Sequence, residues 1–149
     1  MTTGPFIDLE EIRIDRFGRW LSNGAEITHA ETVRAYSQHL GRDAEGYFVS
    51  IGKDFKRIRV EDTAFFVIDI DFPRAVRLTD GTRDVLDLST LRYRDEPGGG
   101  RLTCRVKGGR EEARFLTRPY YELLQKTKQD ARGFYLEHSG RRYDLSGKA

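Results

Sequence analysis

Residues 63 to 72 are predicted to form the most buried strand of the chain. Aromatic and β-branched residues dominate it, and Pro73 follows directly, which is typical of a strand that ends there. Strand alternation predicts one face formed by Phe66, Ile68, Ile70 and Phe72. The other face carries, in order, Phe65, Val67, Asp69 and Asp71. Such a strand starts buried on both faces and emerges into water at its C-terminal end.

Two helices and several antiparallel hairpins are predicted around this strand. The first helix spans residues 29 to 40, capped by Thr28 and Glu31 and ended by Gly41. The second spans residues 119 to 128 and is capped by Thr117. The hairpins are predicted at residues 17 to 21, 47 to 60, 75 to 88 (about Asp80-Gly81) and 134 to 145. Residues 1 to 10 are expected to form a loose lead-in, and residues 96 to 100 a flexible exposed loop.

The N-terminal and C-terminal thirds each combine one helix with antiparallel hairpins, which is a weak internal repeat of architecture. The pattern predicts an α+β fold of two small β-rich lobes of antiparallel strands. We place the lobes at residues 1 to 72 and 73 to 149. Neither lobe is comfortably large enough to bury a good core alone, so we expect them to pack on each other.

Composition narrows the function classes. The chain is 38% hydrophobic and 34% charged, and its nine Phe and seven Tyr give it large groups to bury. A net charge of +2 is too small for a dedicated nucleic-acid binder, so we expect no specific DNA or RNA binding. Cys104, the single cysteine, excludes an internal disulfide and favours a cytoplasmic location. No apolar run approaches the roughly 18 residues of a membrane span, and we expect neither a signal peptide nor a membrane partner.

The stretch from residue 101 to 124 is the best candidate for binding an anion. It holds six cations between Arg101 and Arg118, against two acids. Arg105 and Lys107 are predicted to face the same way on one strand, and Arg118 to sit at a helix start, where free N–H groups favour an anion. Arg114 would add a further positive charge to this candidate site, and Tyr120 and Tyr121 could supply a ring for stacking. The alternative is a solvated charged face, with arginine stems lying over apolar surface.

Other residues that could carry chemistry have simpler interpretations. Asp69 and Asp71 would lie roughly 7 Å apart on one strand face and could hold Mg²⁺ or Mn²⁺. They fit equally the solvated end of a buried strand, and no third ligand has a fixed spacing. Cys104 falls on the apolar face of its strand, which favours a buried, inert thiol over a nucleophile. The three histidines are interpreted as surface or capping residues, and we expect no metal and no cofactor.

Three segments resemble the DUF1285 family, a group of bacterial proteins of unknown function. They are "IRIDRFGRWLSNGAEI", "GYFVSI…IRVEDTAFFV" and "RVKGG…EAR…RPYYELL", and they occur in the family's order over residues 12 to 145. The family often has a "T-P-x-E-K" run where this chain reads Gly-Lys-Asp-Phe-Lys, so that only Lys56 matches. The register between Gly109 and Arg118 also differs by about a residue.

The resemblance implies two packed domains built from a repeated motif, the second similar to a pleckstrin-homology (PH) fold. It also implies a cleft between the domains that suits a nucleotide-like ligand, a link to bacterial signal transduction, and no established catalytic activity. We therefore expect a non-catalytic binding module. Its expected ligand-binding residues are Lys56, Glu61, Arg105, Lys107, Arg114, Arg118, Tyr120 and Tyr121.

Two alternatives stay open at this point. The chain could be a protein-interaction or self-association module that pairs through β-edges such as residues 91 to 95. It could also be a metal-dependent enzyme acting on nucleotides through Asp69 and Asp71. The partner is accordingly a nucleotide-like small molecule or another protein.

Overall fold

The structure, a computed structural model, describes residues 10 to 146, so the predicted lead-in lies almost wholly outside the described residues. The helices are α1 (Ala30–Gln38), α2 (Thr117–Leu124) and a short 3-10 helix (Leu88–Thr90). The first strands are β1 (Ile12–Ile14), β2 (Trp20–Ser22), β3 (Ala25–Glu26), β4 (Leu40–Asp43), β5 (Gly46–Ile51), β6 (Asp54–Arg57), β7 (Arg59–Val60) and β8 (Phe65–Asp71). The later strands are β9 (Ala75–Leu78), β10 (Arg83–Val85), β11 (Arg92–Glu96), β12 (Gly99–Val106), β13 (Glu111–Phe115), β14 (Lys128–Asp130), β15 (Gly133–His138) and β16 (Arg141–Asp144). Neither α-helix has the length and apolar character needed to cross a membrane.

The described chain forms two compact units. Unit 1 contains residues 10 to 64 together with the hairpin tip at 79 to 81, and unit 2 contains residues 65 to 78 and 82 to 146. Each unit holds one α-helix and two of the four sheets. The protein is therefore mostly β within an α+β class, as the sequence predicts.

Unit 1 is built from a four-stranded and a three-stranded sheet. The first has the order β3-β2-β1-β7, with β1 and β7 parallel, and the second is the antiparallel meander β4-β5-β6. Its core residues are Ile12, Ile14, Trp20, Leu21, Tyr36, Val49 and Ile58. Trp20 and Tyr36 pack with ring centroids 5.7 Å apart, which ties the first sheet to α1.

Unit 2 contains the largest sheet, six strands in the order β10-β9-β8-β13-β12-β11. Its strands pair antiparallel except at β8 and β13, which are parallel. A three-stranded meander, β14-β15-β16, forms the second sheet. The core of the unit includes Phe65, Val67, Val76, Leu78, Leu102, Cys104, Phe115, Leu123 and Leu136.

A β-bulge changes the faces of β8. Val67 lies opposite Leu78, and Ile70 lies opposite Val76, although strict alternation would put residues 67 and 70 on opposite faces. The register shifts between Val67 and Asp69, so Ile68 is the extra residue and is 38% exposed. The predicted face of Phe66, Ile68, Ile70 and Phe72 is therefore wrong beyond Phe66. The bulge also removes Asp69 and Asp71 from the buried face that Phe65 and Val67 occupy.

The helix ends differ from their predicted positions. α1 begins after His29, whose ring nitrogen accepts from the amide of Thr32, so the predicted Thr28 cap is wrong. It ends at Gln38, and Gly41 lies in β4 rather than ending the helix. Gly41 is required there for another reason, because a Cβ would lie 2.6 Å from the Phe48 ring. α2 begins at Thr117 after Leu116, so the predicted Thr117 cap is also wrong.

The two units share a local arrangement of helix and meander. In each, the helix is followed by three antiparallel strands, and corresponding residues differ by 87 positions. Ile58 donates its amide to Tyr47 O, and Leu145 donates its amide to Phe134 O. Val49 and Leu136 are the buried residues at the same position of β5 and β15. The predicted repeat of a helix with antiparallel hairpins is present at this level.

The predicted flexible loop at residues 96 to 100 is instead a tight hairpin. Glu96 pairs with Gly99, which leaves Pro97 and Gly98 as the turn. Gly100 lies within β12, where a Cβ would come within 2.5 Å of both the Tyr93 ring and the Tyr120 hydroxyl. The glycines are thus needed for strand packing and turn geometry rather than for flexibility.

Replacing Gly100 with alanine should lower the free energy of unfolding by about 1 to 3 kcal/mol, because the added methyl group overpacks this contact. Urea unfolding of Gly100→Ala measures the loss. In a double-mutant cycle, the loss of stability should be smaller in the Tyr93→Ala background, because the added methyl group contacts the tyrosine ring. An equal loss in both backgrounds would show that the cost has another origin.

Asp15 organises the first turn of unit 1. Its Oδ1 accepts from the amides of Phe17 and Arg19, each at 2.9 Å, and its Oδ2 accepts from Arg19 Nε at 2.7 Å. The residue is only 4% exposed. Burial by itself raises the pKa of Asp15, but the hydrogen bonds from Arg19 and Phe17 outweigh it, and the pKa lies below its ordinary value.

The Asp15→Asn variant should be less stable than the parent by about 1 to 3 kcal/mol at neutral pH, because the ionised carboxylate is the better acceptor. A lowered folded-state pKa means that this contribution is complete above the unfolded-state value of about 4. It disappears as the pH falls through the folded-state pKa. Urea titrations from pH 7 to pH 3 should therefore show the two proteins converging in stability. A constant difference would contradict the assignment.

Candidate functional site

The eight predicted ligand residues divide between the two units. Lys56 and Glu61 belong to unit 1, and the other six belong to unit 2. Lys56 lies in β6 opposite Val49 and is half-buried. Glu61 is exposed, and its carboxylate lies 3.9 Å from Arg16 Nε.

Alternation along β12 separates its apolar and polar side chains. Leu102, Cys104 and Val106 point into the core, and the intervening residues point to the other face of the sheet. Arg114 on β13 lies directly opposite Thr103, and Glu112 lies opposite Arg105. The structure therefore brings Arg105 and Arg114 onto one face, as the predicted site requires.

The centre of this face is a buried ionic network. Arg101 Nη2 donates to Glu112 Oε1 at 2.8 Å, and the Thr103 hydroxyl donates to Glu112 Oε2 at 3.2 Å. Arg114 Nη2 pairs with Glu96 Oε1. The side chains of Arg101 and Arg114 are only 9% and 11% exposed. Charges so well buried require partners of this kind, because an unpaired one would carry a large desolvation penalty.

Exposed arginines flank that centre. Arg94 lies directly opposite Arg101 across β11 and β12, and Arg92 lies opposite Thr103. Arg92 Nη1 donates to the carbonyls of Ser89 and Leu91. Within residues 10 to 146, the structure shows no ion pair or hydrogen bond from the side chain of Arg94 or Arg105. We call the five residues Arg92, Arg94, Arg101, Arg105 and Arg114 the cationic face.

A second cross-strand arginine pair gives a comparison. Arg77 and Arg83 also lie directly opposite each other, on β9 and β10. Each has its own carboxylate: Arg77 Nη2 lies 3.8 Å from Asp69 Oδ2, and Arg83 Nη2 lies 2.6 Å from Asp71 Oδ2. In the pair of Arg94 and Arg101, Arg101 contacts Glu112, whereas Arg94 makes no ion pair with the described residues. These ion pairs also fix Asp69 and Asp71 to arginines, and no cluster of three metal-ligating residues occurs among the described residues.

Lys107 does not extend the strand face of Arg105. β12 ends at Val106, and Lys107 has a φ of 57°, so the prediction that both side chains face the same way on one strand is wrong. Its amide donates to Asp84 Oδ2 at 2.7 Å, and its Nζ lies 3.1 Å from Thr82 Oγ1. The ammonium also lies 5.1 Å from the centre of the Phe65 ring. Lys107 therefore joins the β9–β10 hairpin to the end of β12.

The helical residues of the predicted site lie on the other side of the sheet. Tyr120 contacts the side of β12 to which Gly100 and Leu102 point, and its hydroxyl bonds to Tyr93. The side chain of Arg118 is 90% exposed and lies 3.6 Å from Glu122. Tyr121 is 61% exposed and packs edge-on against Tyr120. The site residues of unit 2 thus form three groups rather than one.

Sequence reasoning missed Arg92 and Arg94, and it used Arg101 only as part of a charge count. The sequence does contain a signal for them. Arg92 and Arg94 alternate with Tyr93, as expected for one face of a strand. Arg101, Thr103 and Arg105 alternate in the same way with apolar residues. A turn at Pro97-Gly98 aligns these two alternations on one face. The glycine run at residues 98 to 100 predicts a loop, so the sequence does not reveal this hairpin.

The structure also bears on the predicted burial of Cys104 and on the predicted pairing edge at residues 91 to 95. Cys104 is 0% exposed, which confirms its predicted burial, and burial raises the pKa of the thiol to about 12. The edge formed by residues 91 to 95, predicted as a pairing surface, is partly occupied. The amide of Tyr93 donates to Leu145 O on the side away from β12.

The protein is mostly β, and one of its sheets carries the arginines of the cationic face. No family model and no curated protein matches the chain. A DUF1285 family protein from Silicibacter pomeroyi DSS-3 has a similar structure, with a TM-score of 0.71, 23% identity, and 91% of this chain and 79% of that chain covered. A DUF1285 family protein from Shewanella baltica OS155 gives a TM-score of 0.56 at 15% identity, with 80% of this chain and 94% of that chain covered. The chain has the fold of these DUF1285 proteins, and the resemblance that the sequence predicted is confirmed at the level of the fold.

Native Cys104 should resist a thiol reagent such as Ellman's reagent at pH 8, because its sulfur is buried and its thiol pKa is high. Spectrophotometric labelling should yield no thiol in the native protein and one thiol per chain in denaturant. Fast labelling of the folded protein would contradict the inert assignment.

Proposed function

We propose that this protein is a non-catalytic module that binds a nucleotide-like or other anionic ligand on the cationic face of unit 2. The observation that carries the proposal is the pair formed by Arg94 and Arg101. They face each other across β11 and β12, and the Arg94 side chain makes no ion pair and no hydrogen bond with the described residues. Like charges directly opposite each other destabilise a sheet, and a bound anion offsets that repulsion.

The geometry suits an oxyanion with several acidic oxygens. An arginine fork donates two parallel hydrogen bonds to a phosphate or carboxylate, which provides orientation as well as energy. Arg94 and Arg105 offer exposed guanidinium groups, while Arg101 and Arg114 are held by Glu112 and Glu96. The exposed pair would contact the ligand directly, and the buried pair would contribute a fixed positive field.

The distribution of charge supports the same placement. The described part of unit 2 has sixteen Lys and Arg against twelve Asp and Glu, and that of unit 1 has nine against eleven. The small net positive charge of the chain therefore arises in unit 2. An anionic ligand would be attracted to that unit.

The likeness to the DUF1285 structures supports finer proposals. We propose that unit 2 is PH-like, that the helix and meander of the two units arose by duplication, and that the protein acts in the cytoplasm, in bacterial signal transduction. An interaction module remains the second candidate. The partly occupied β11 edge gives it less support than the cationic face gives to ligand binding.

A thermal-shift screen against nucleotides, dinucleotides and phosphorylated metabolites, with and without Mg²⁺, tests the proposal. A ligand at about 100 times its dissociation constant should stabilise the native state by about 2.7 kcal/mol. Arg94→Gln and Arg105→Gln should each weaken the binding of a hit at least tenfold, and added salt should weaken it further.

Arg118→Ala is the matched control, because Arg118 is exposed on the other side of the sheet. It should leave the affinity unchanged if the ligand binds the cationic face. A loss of affinity confined to Arg118→Ala would move the site to the start of α2, where the sequence predicted it. A screen with no hit would favour the interaction module, which pull-downs would then test.

A further inference from the structure

The strand β6 of unit 1 is an edge strand, because it ends the sheet order β4-β5-β6. Ile58, directly after β6, donates its amide to Tyr47 O of β5. Alternation then turns the backbone groups of Phe55 and Arg57 away from β5. Within residues 10 to 146, no backbone hydrogen bond reaches these outward groups. The edge can therefore accept one more strand.

One face of this edge carries an exposed aromatic pair. Phe55 is 52% exposed and stacks on Phe48, with the ring centroids 5.0 Å apart. The Arg57 guanidinium lies over both rings, and its charge is paired with Asp43 at 2.7 Å. The aromatic surface thus continues to the outermost strand of the sheet, where water still reaches it. A partner strand that covers Phe55 would remove this apolar surface from water.

The opposite face of β6 carries two charges of opposite sign. Asp54 and Lys56 flank Phe55, and both are half-buried. Neither side chain makes an ion pair or a hydrogen bond with a residue between 10 and 146. An antiparallel second copy of β6, aligned so that Phe55 lies opposite Phe55, would bring Asp54 opposite Lys56 of the partner subunit. The symmetry of the pair gives that contact twice, so the sequence Asp-Phe-Lys is complementary to its own reversed copy.

Other alignments of the two strands are less favourable. Centring the pair on either neighbour of Phe55 would put two aspartates or two lysines directly opposite each other, and centring it on Arg57 would oppose two arginines. In the alignment on Phe55, the two phenyl rings meet on the aromatic face. Arg57 would then lie opposite Lys53 of the partner subunit, but its charge is already paired with Asp43. The charges therefore select the register centred on Phe55.

The equivalent edge in unit 2 is protected against such pairing. Position 142 corresponds to position 55, because the two meanders differ by 87 positions, and it holds an arginine. Arg142 lies over the Tyr135 ring, 3.7 Å from its centre, and pairs with Asp130 and Asp144. Alignment of a second copy there would bring Arg142 against itself. Charges of this kind on an edge strand oppose the addition of another strand.

We infer that two copies of this chain associate through their β6 strands, antiparallel and centred on Phe55, so that one sheet continues across both copies. The partner is a second copy because the charges of this edge match those of the same edge reversed. β6 has only four residues, so the dimer should be weak, with a dissociation constant in the micromolar range. The edge belongs to unit 1, and the inference does not depend on the cationic face or on the β11 edge.

Sedimentation velocity of the full chain, at concentrations from the micromolar to the millimolar range, tests the inference. A reversible equilibrium between monomer and dimer is expected, and a monomer throughout this range would overturn it. Phe55→Lys should weaken dimerisation at least tenfold, because it replaces the central aromatic contact with two opposed charges. Tyr121→Lys is the matched control, since Tyr121 is an exposed aromatic residue of α2, and it should change dimerisation less than twofold. A dimer that Phe55→Lys leaves intact, or that both variants weaken equally, would refute the β6 interface.

Charge reversal tests the register. Asp54→Lys and Lys56→Asp should each weaken dimerisation, because each brings like charges together across the interface. The double variant that carries both changes should dimerise within about threefold of the parent chain, since the same two pairs form with their signs exchanged. Far-UV circular dichroism checks that each variant is folded. A double variant that is folded but dimerises no better than either single variant would overturn the proposed pairing.

Discussion

The parallel pairing of β8 with β13 brings together segments almost fifty residues apart in the chain, and the rest of unit 2 depends on its register. Phe65 lies opposite Ala113, and Phe66 lies opposite Arg114. The amide of Leu116 continues this pairing to Val67 O, so α2 begins where the pairing ends. A slip of one residue would turn Arg114 into the core and Ala113 out of it. The face on which Arg114 lies and the start of α2 are therefore both consequences of this register.

The registers of β11, β12 and β13 bring the arginines of the cationic face together, and these arginines differ in burial. Arg101 and Arg114 are buried and held by Glu112 and Glu96, so the loss of either carboxylate would remove a charged partner from a buried arginine and cost stability. Arg94 and Arg105 stand at the margin of this network in water, where a charge costs little to keep. The same sheet holds another arginine pair, Arg77 and Arg83, with one aspartate for each. The two pairs therefore differ at Arg94, which makes no ion pair with the described residues.

Local chemistry allowed part of this to be predicted from the sequence. The burial of Phe65 to Val67, the hairpin about Asp80-Gly81 and the buried Cys104 follow from apolar character and turn residues, which act over a few positions. The bulge at Ile68 could not be predicted, because it depends on how β8 aligns with β9. The turn at Lys107 is fixed by Asp84, a residue 23 positions earlier. The pairing of Arg94 with Arg101 required the register of a hairpin that its glycines disguised as a loop. The incorrect predictions therefore concern contacts between residues distant in the sequence. The cationic face depends on such contacts.

The two repeated meanders each hold a charged pair within themselves. Each meander contains an aspartate before its central strand, Asp43 or Asp130, and these positions differ by 87. Each aspartate is paired with an arginine of the last strand, Arg57 at 2.7 Å or Arg142 at 2.8 Å. Those arginines also lie over aromatic rings, so their charges are used to hold the meander together. The cationic face belongs instead to the six-stranded sheet, whereas the two sheets in the described part of unit 1 have four and three strands. The meanders thus hold these charges in ion pairs of their own, whereas the six-stranded sheet carries the exposed arginines on which the proposed function rests.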